Sequence, residues 1–161
     1  MAKEKTLPTR HSLPAKTRAS VGALLNTALA DLSDLYSQSK QAHWNVRGPR
    51  FYSLHKLFDE VAGLVEGHLD DVAERAVQLG TPARGTIRMA AAVSRVPEWP
   101  AGLASEDAVL EALTARFATV ANSIREAIDT AADLGDADTA DLLTGISQDL
   151  DKSLWFLEAS A

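Results

Sequence analysis

No cysteine occurs anywhere in the 161-residue chain. Disulfides and thiolate-bound metals are therefore excluded, and imidazole and carboxylate are the only strong side-chain ligands left. Imidazole is itself scarce, with four histidines at positions 11, 43, 55 and 68. No apolar run approaches the length of a membrane span, and Met1-Ala2-Lys3-Glu4-Lys5-Thr6-Leu7-Pro8 lacks the apolar stretch of a secretory signal, so no membrane association and a cytoplasmic location are expected. β-Branched runs are few and prolines gather outside the long periodic stretches, which favours an all-α protein. Positive charge is in deficit, at 16 Lys and Arg against 22 Asp and Glu. It is also unevenly placed. Lys3, Lys5, Arg10, Lys16 and Arg18 against Glu4 give residues 1–18 a charge of +4, which leaves −10 on the rest of a chain whose net charge is −6. An acidic body repels phosphate, so any nucleic-acid contact has to come through that N-terminal segment. The same segment also reads as a solubilising terminus with no partner.

The length suits one domain with a substantial core. Residues 1–16, with Pro8 and Pro14 among polar neighbours, read as a flexible basic arm, and residues 17–161 as the folded unit. A first helix is expected from Thr17 to His43, where Val21, Leu24, Leu25, Ala28, Leu32, Leu35 and Tyr36 form an apolar stripe opposite Asn26, Asp31, Asp34 and Gln38. Gly48-Pro49 turns the chain into a second helix, from Arg50 to Leu79, which stops at Gly80 with Pro82 beyond. Thr81 to Ala104 breaks the pattern with Pro82, Gly85, Pro97, Pro100 and Gly102, and holds one short helix over Thr86 to Val93. Ser105 starts a third long helix that continues to Gly135, and Asp138 or Thr139 caps a fourth. Four long amphipathic helices with one long crossover between the second and third suit a ferritin-like four-helix bundle.

Within the second helix the ligand-type residues are mirror-related. Reflection about position 64.5 maps His55 onto Glu74 and Asp59 onto Asp70. Each of the pairs His55/Asp59 and Asp70/Glu74 is spaced i, i+4 and so shares a helix face within reach of one ion. Asp59 and Asp70 are eleven residues apart, roughly 16 Å along the axis, so one ion cannot touch both pairs. An antiparallel copy of the same helix would bring Asp70 and Glu74 of the partner subunit opposite His55 and Asp59, with Ala62, Gly63 and Gly67 at the crossing. His43, across the tight Arg47-Gly48-Pro49 connection, joins the His55 side. Two imidazoles with carboxylates suit Fe(II), although Zn or Mn also fits, and the added carboxylates balance the charge of Fe(III). The bland alternative is that these acids face water and the histidines cap helix ends. His68 lies about 220° around the helix from His55 and is read as a structural or partner-contact residue. No Glu-x-x-His occurs and the last two helices carry no histidine, so a di-iron site within one bundle is disfavoured.

The stretch Lys40-Gln41-Ala42-His43-Trp44-Asn45-Val46-Arg47-Gly48-Pro49 closely resembles the Dps family, the DNA-binding proteins from starved cells or miniferritins. The likeness continues through His55, Asp59, the run from His68 to Gly80, Asp138 to Asp141, and Asp149 to Phe156, so it covers all but the N-terminal arm. It implies a dodecameric homo-oligomeric shell with ferroxidase sites at two-fold dimer interfaces. It further implies Fe(II) oxidation, preferentially by hydrogen peroxide, with ferric mineral stored inside and DNA protected from oxidative damage. By the same likeness His43, His55 and Asp59 come from one subunit and Asp70 and Glu74 from its neighbour. Trp44 either absorbs stray oxidising equivalents or packs in the core. Among Glu126, Asp129, Asp133, Asp136, Asp138 and Asp141, some line iron-entry pores, or they form a solvated helix end. Twelve copies of the arm, through Lys3, Lys5, Arg10, Lys16 and Arg18, would bind DNA weakly, non-specifically and with strong salt dependence in a nucleoid-associated particle. The rival reading is a structural nucleoid protein that coats DNA, with metal binding secondary.

Overall fold

The computed structural model describes residues 6–103 and 105–161, which leaves Lys3 and Lys5 of the basic arm outside the described residues. Its elements are α1 (Ala15–Asn45), α2 (Phe51–Gln78), the short α3 (Ile87–Val93), α4 (Glu106–Asp133) and α5 (Ala137–Glu158), with no strand among the described residues. Helix α1 pairs with α2 and α4 pairs with α5, and the two hairpins close on a shared core. Leu25, Leu29, Leu32 and Leu35 of α1, Leu54 and Phe58 of α2, Leu110, Leu113 and Phe117 of α4, and Leu143 of α5 are fully buried there. This is the expected four-helix bundle with an extra helix in the crossover. No helix among the described residues is long and apolar enough to cross a membrane.

Helix ends follow local chemistry. At the end of α2, Gly80 N–H donates to Val77 O and Thr81 N–H to Ala76 O, the paired bonds of a Schellman stop. Gly80 adopts φ +81°, and a Cβ there would lie 2.9 Å from Leu7 O, so two constraints select glycine. The Ser105 hydroxyl accepts from Ala108 N–H at 3.2 Å and opens α4 as expected. The cap of α5 differs from the expectation. Asp136, rather than Asp138 or Thr139, accepts from Thr139 N–H, and its carboxylate also takes the Thr139 hydroxyl at 2.6 Å and the Arg75 guanidinium at 2.8 Å. Asp136 is 2% exposed. It therefore serves the cap and cannot face a pore as the sequence suggested, whereas Asp129, Asp138 and Asp141 are exposed.

The polar side of α1 is not a solvated face. Asp31, 1% exposed, accepts from the backbone and guanidinium of Arg95. Asp34 accepts from Ser94, Gln38 donates to Pro97 O, and Asn26 bonds both Pro82 O and Arg84 N–H. Arg116 of α4 reaches Gln38 and Glu98 O. The long crossover is thus laid along α1 by side-chain bonds to its backbone, which satisfies polar groups that the loop would otherwise bury.

Burial alone would push the Asp136 carboxyl up, but the Thr139 hydroxyl and N–H and the Arg75 guanidinium outweigh it and hold it below the usual aspartate range. Asp136→Asn should lower stability by about 2 kcal/mol at neutral pH in urea unfolding. A carboxyl titrating below its unfolded value stabilises the fold fully above that value, so the gap between variant and wild type should close as pH falls below 3.8 and through the depressed range.

Candidate metal centre

Two backbones and two imidazoles interlock where α1 ends and α2 begins. His43 sits in the last turn of α1, where carbonyls lack an intrahelical partner, and its carbonyl lies 2.9 Å from Nδ1 of His55. The relation is reciprocal, with His43 Nδ1 2.8 Å from the carbonyl of His55. A carbonyl can only accept, so each Nδ1 carries a proton and donates, and each Nε2 is the nitrogen that remains to ligate a metal. The rings stack with centroids 3.7 Å apart, and Phe51 lies against His55 at 5.1 Å. Holding the distal nitrogen of a histidine on a backbone carbonyl is how proteins fix the tautomer and aim of a metal-ligating imidazole.

The turn between the helices is held from outside. Arg50 N–H and Nε donate to the two carboxylate oxygens of Glu106 at 2.9 and 2.8 Å, and its guanidinium also reaches Asp107 and the carbonyl of Ser160. Gly48, at φ +150°, lies where a Cβ would come 2.2 Å from Glu106 Oε2, so only glycine lets this clamp close. The hydrogen bond from Arg50 holds the Glu106 carboxyl below its usual range. The N-terminus of α4 thereby pins the α1–α2 hairpin that carries both histidines.

Asp59, one turn beyond His55, places Oδ1 3.9 Å from His43 Nε2. The same oxygen accepts from Lys40 Nζ at 2.6 Å. That hydrogen bond and the ammonium charge, aided by His43 and Lys56, hold the Asp59 carboxyl below the usual range against the opposing cost of desolvation. Asp59 therefore remains a carboxylate, as a metal ligand must. Lys40 stands three residues before His43 on the same face of α1, a spacing visible in the sequence, but sequence reasoning gave it no role.

Asp70 and Glu74 lie farther along α2, both exposed, and no hydrogen bond or ion pair among the described residues engages them. The structure brings His43, His55 and Asp59 together and leaves Asp70 and Glu74 apart from them on the same helix. No group of three or more His, Asp or Glu that could hold a metal is found among the described residues of one subunit. Gly63 and Gly67, between the two groups, are exposed, and an added Cβ would meet nothing within 4 Å. His68 faces the other way, with Nε2 3.1 Å from Asp149 Oδ2 on α5, so within the subunit it is a structural residue.

Outside this centre, Trp44 is 67% exposed, which removes the core-packing alternative. In the arm, Leu7 N–H donates to Gly80 O at 2.9 Å and the Thr9 hydroxyl to Gln78 O at 3.4 Å. Arg18, grouped with the DNA-contacting residues from the sequence, is half-buried, and its guanidinium donates to Leu13 O and Leu79 O at 3.1 and 3.2 Å. Two of its donors fasten the chain, whereas Arg10 and Lys16 are exposed.

A two-hairpin bundle with a long crossover and histidines and carboxylates on its second helix defines a ferritin-like protein, and the family model for the ferritin-like domain matches residues 22–160. The chain is 43% identical over 155 residues to the DNA protection during starvation protein of Agrobacterium fabrum, covering 96% of both. It is 34% identical to the protein of that name from Mycolicibacterium smegmatis, covering 91% of this chain and 80% of that one. Among solved structures, DpsC from Streptomyces coelicolor superposes with a TM-score of 0.92 at 30% identity, covering 99% and 95% of the two chains. Mycobacterium smegmatis Dps gives 0.88 at 32% identity, covering 98% and 94%. The chain belongs to the Dps family.

Proposed function

We propose that this protein oxidises Fe(II) at a site shared between two antiparallel subunits and stores the ferric product inside a dodecameric shell. One observation carries the reading. The donors fall into two groups on α2, His55 and Asp59 with His43 beside them, and Asp70 and Glu74 roughly 16 Å farther along the axis, while exposed glycines occupy the stretch between. An exposed helix interior has no use for glycine, which costs about 0.5–1 kcal/mol relative to alanine. A second copy crossing closely at Gly63 and Gly67 accounts for both and sets Asp70 and Glu74 of the partner subunit against His43, His55 and Asp59. An open groove of about 630 Å³, lined by Lys40, Trp44, Glu66, Leu69 and Ile87 among others, adjoins this stretch.

The donor set fits the substrate. Imidazole Nε2 atoms and carboxylates suit Fe(II), with Zn or Mn as competitors, and the carboxylates stabilise the more highly charged Fe(III). With hydrogen peroxide as oxidant, two Fe(II) give up one electron each, the O–O bond breaks, and hydrolysis of the ferric ions releases protons. Both reactants of hydroxyl-radical formation are consumed together, and this protects DNA. The exposed Asp129, Asp138 and Asp141 supply negative potential for cation entry. Trp44, next to His43, is placed to absorb stray oxidising equivalents. Non-specific DNA contact is assigned to Lys3 and Lys5, with Arg10 and Lys16 nearer the body, in a cytoplasmic, nucleoid-associated particle.

Replacing His43 and His55 together by alanine should abolish peroxide-dependent Fe(II) oxidation while particle mass by light scattering is unchanged; unaltered oxidation kinetics would displace the site. Gly63→Leu, harmless within one subunit, should shift the particle towards smaller species at unchanged helix content, and an intact particle would remove the crossing. Deleting residues 1–6 leaves the Leu7 contact in place and should weaken a low-salt DNA gel shift at least tenfold, whereas an unchanged shift takes the arm out of DNA binding.

A further inference from the structure

A circuit of hydrogen bonds ties the segment before α1 to the end of α2, and one link in it can change charge near neutrality. The last carbonyls of a helix lack intrahelical donors. Here Leu7 N–H donates to Gly80 O at 2.9 Å, the Thr9 hydroxyl to Gln78 O at 3.4 Å and the Arg18 guanidinium to Leu79 O at 3.2 Å. Gly80 leaves room for this crossing, since a Cβ there would also lie 3.1 Å from both Thr9 Cγ2 and Arg18 Nη1. Thr9 and Arg18 are joined in turn through His11 and Leu13. The Thr9 oxygen accepts from His11 N–H at 3.2 Å, His11 Nδ1 lies 3.2 Å from Leu13 N, and Leu13 O accepts from Arg18 Nε at 3.1 Å.

A backbone N–H can only donate, so His11 Nδ1 is the acceptor and the docked ring is neutral. A side chain that accepts from the N–H two residues on closes the turn that Asn and Asp ordinarily close. Histidine closes it only while Nδ1 keeps its lone pair, and histidine is the side chain that changes charge between roughly pH 5 and 8. With Nδ1 protonated, two N–H groups would face each other and the link between Thr9 and Leu13 would break. The charged groups on the elements joined here are Arg10 of the arm, Lys16 and Arg18 at the start of α1, Glu74 and Arg75 in the last turns of α2, and Arg84 beyond it. All but Glu74 are cations, and no carboxylate among the described residues forms an ion pair with His11, so a charged ring gains no compensation in the docked arrangement. We propose that the arm is a pH-sensitive strap, latched to the end of α2 while His11 is neutral and let go when its ring is protonated. The sign is fixed by the acceptor role: docking holds above the imidazole range and is lost as pH falls through it.

The test uses the intact particle with a nitroxide attached at Thr6→Cys, beside the Leu7 link, in a chain that has no cysteine of its own. The electron paramagnetic resonance line shape then reports arm mobility, with light scattering to follow particle mass. The labelled parent should give a restricted spectrum at about pH 8 and a largely mobile one at about pH 5.5, reversibly, across the range in which imidazole titrates. His11→Asn, whose Oδ1 can accept from Leu13 N–H without titrating, should stay restricted throughout, and His11→Ala should be mobile throughout. A parent spectrum that does not change with pH, an acid response in His11→Asn equal to the parent's, or a restricted arm in His11→Ala at the higher pH would overturn the proposal. The use of the released arm rests on the DNA reading above, and a gel shift separates the two. At the lower pH wild type should bind DNA roughly tenfold tighter than His11→Asn, and at the higher pH within about twofold of it. If acid frees the arm yet the two bind alike, the DNA assignment fails and the strap stands.

Discussion

Everything the centre can do depends on two side chains that each hold the other's backbone. The imidazoles of His43 and His55 donate through Nδ1 to one another's carbonyls and stack between them. Three conditions are met at once. The open carbonyl at the end of α1 finds a donor, the two helices are joined at the level of the ligands, and both Nε2 atoms are released from internal hydrogen bonding. Loss of either ring would leave the other without its stacking partner and its own carbonyl without a donor. The pair therefore acts as one unit, and its rigidity depends on how firmly the turn behind it is held.

That firmness comes from across the bundle. Arg50 in the turn, Glu106 at the start of α4 and the backbone near the C-terminus meet at one corner, and Gly48 leaves the space for them. At the opposite end, Arg75 of α2 joins the Asp136 cap of α5, and Gly80 receives the arm at Leu7. Helix α2 is thus fastened at both ends to other elements, while its central face, from Asp59 through Gly63 and Gly67 to Asp70, stays open. A helix rigid at its ends and bare in its middle is suited to meeting a second rigid body, and the proposed seam lies on that bare stretch.

Much of this was legible in the residues, because helix periodicity and stop signals act locally. The apolar stripe of α1, the Gly48-Pro49 turn, the Gly80 stop, the short crossover helix and the Ser105 cap are all short-range statements, and the structure bears them out within a residue or two. The approach of His43 to His55 was legible for the same reason, since a tight hairpin leaves few alternatives. What escaped was long-range pairing. Nothing local distinguishes Asp136 from Asp138 as a cap until Arg75, on another helix, is seen to face it. Arg18 looked like one more arm cation, and only the fold shows the carbonyls of Leu13 and Leu79 within its reach. Asn26, Asp31, Asp34 and Gln38 looked like one polar face, yet they bind the crossover. Lys40 carries no donor signal for a metal, and only the fold shows its ammonium on Asp59.

Iron is proposed to be gripped between subunits, since among the described residues one subunit presents only the His43, His55 and Asp59 side. Anomalous diffraction from crystals soaked in Fe(II) without oxidant tests it most directly. The expected result is a metal peak bounded by His43, His55 and Asp59 of one protomer and by Asp70 and Glu74 of the partner subunit. A metal peak enclosed entirely by residues of a single subunit, with that seam empty, would contradict it.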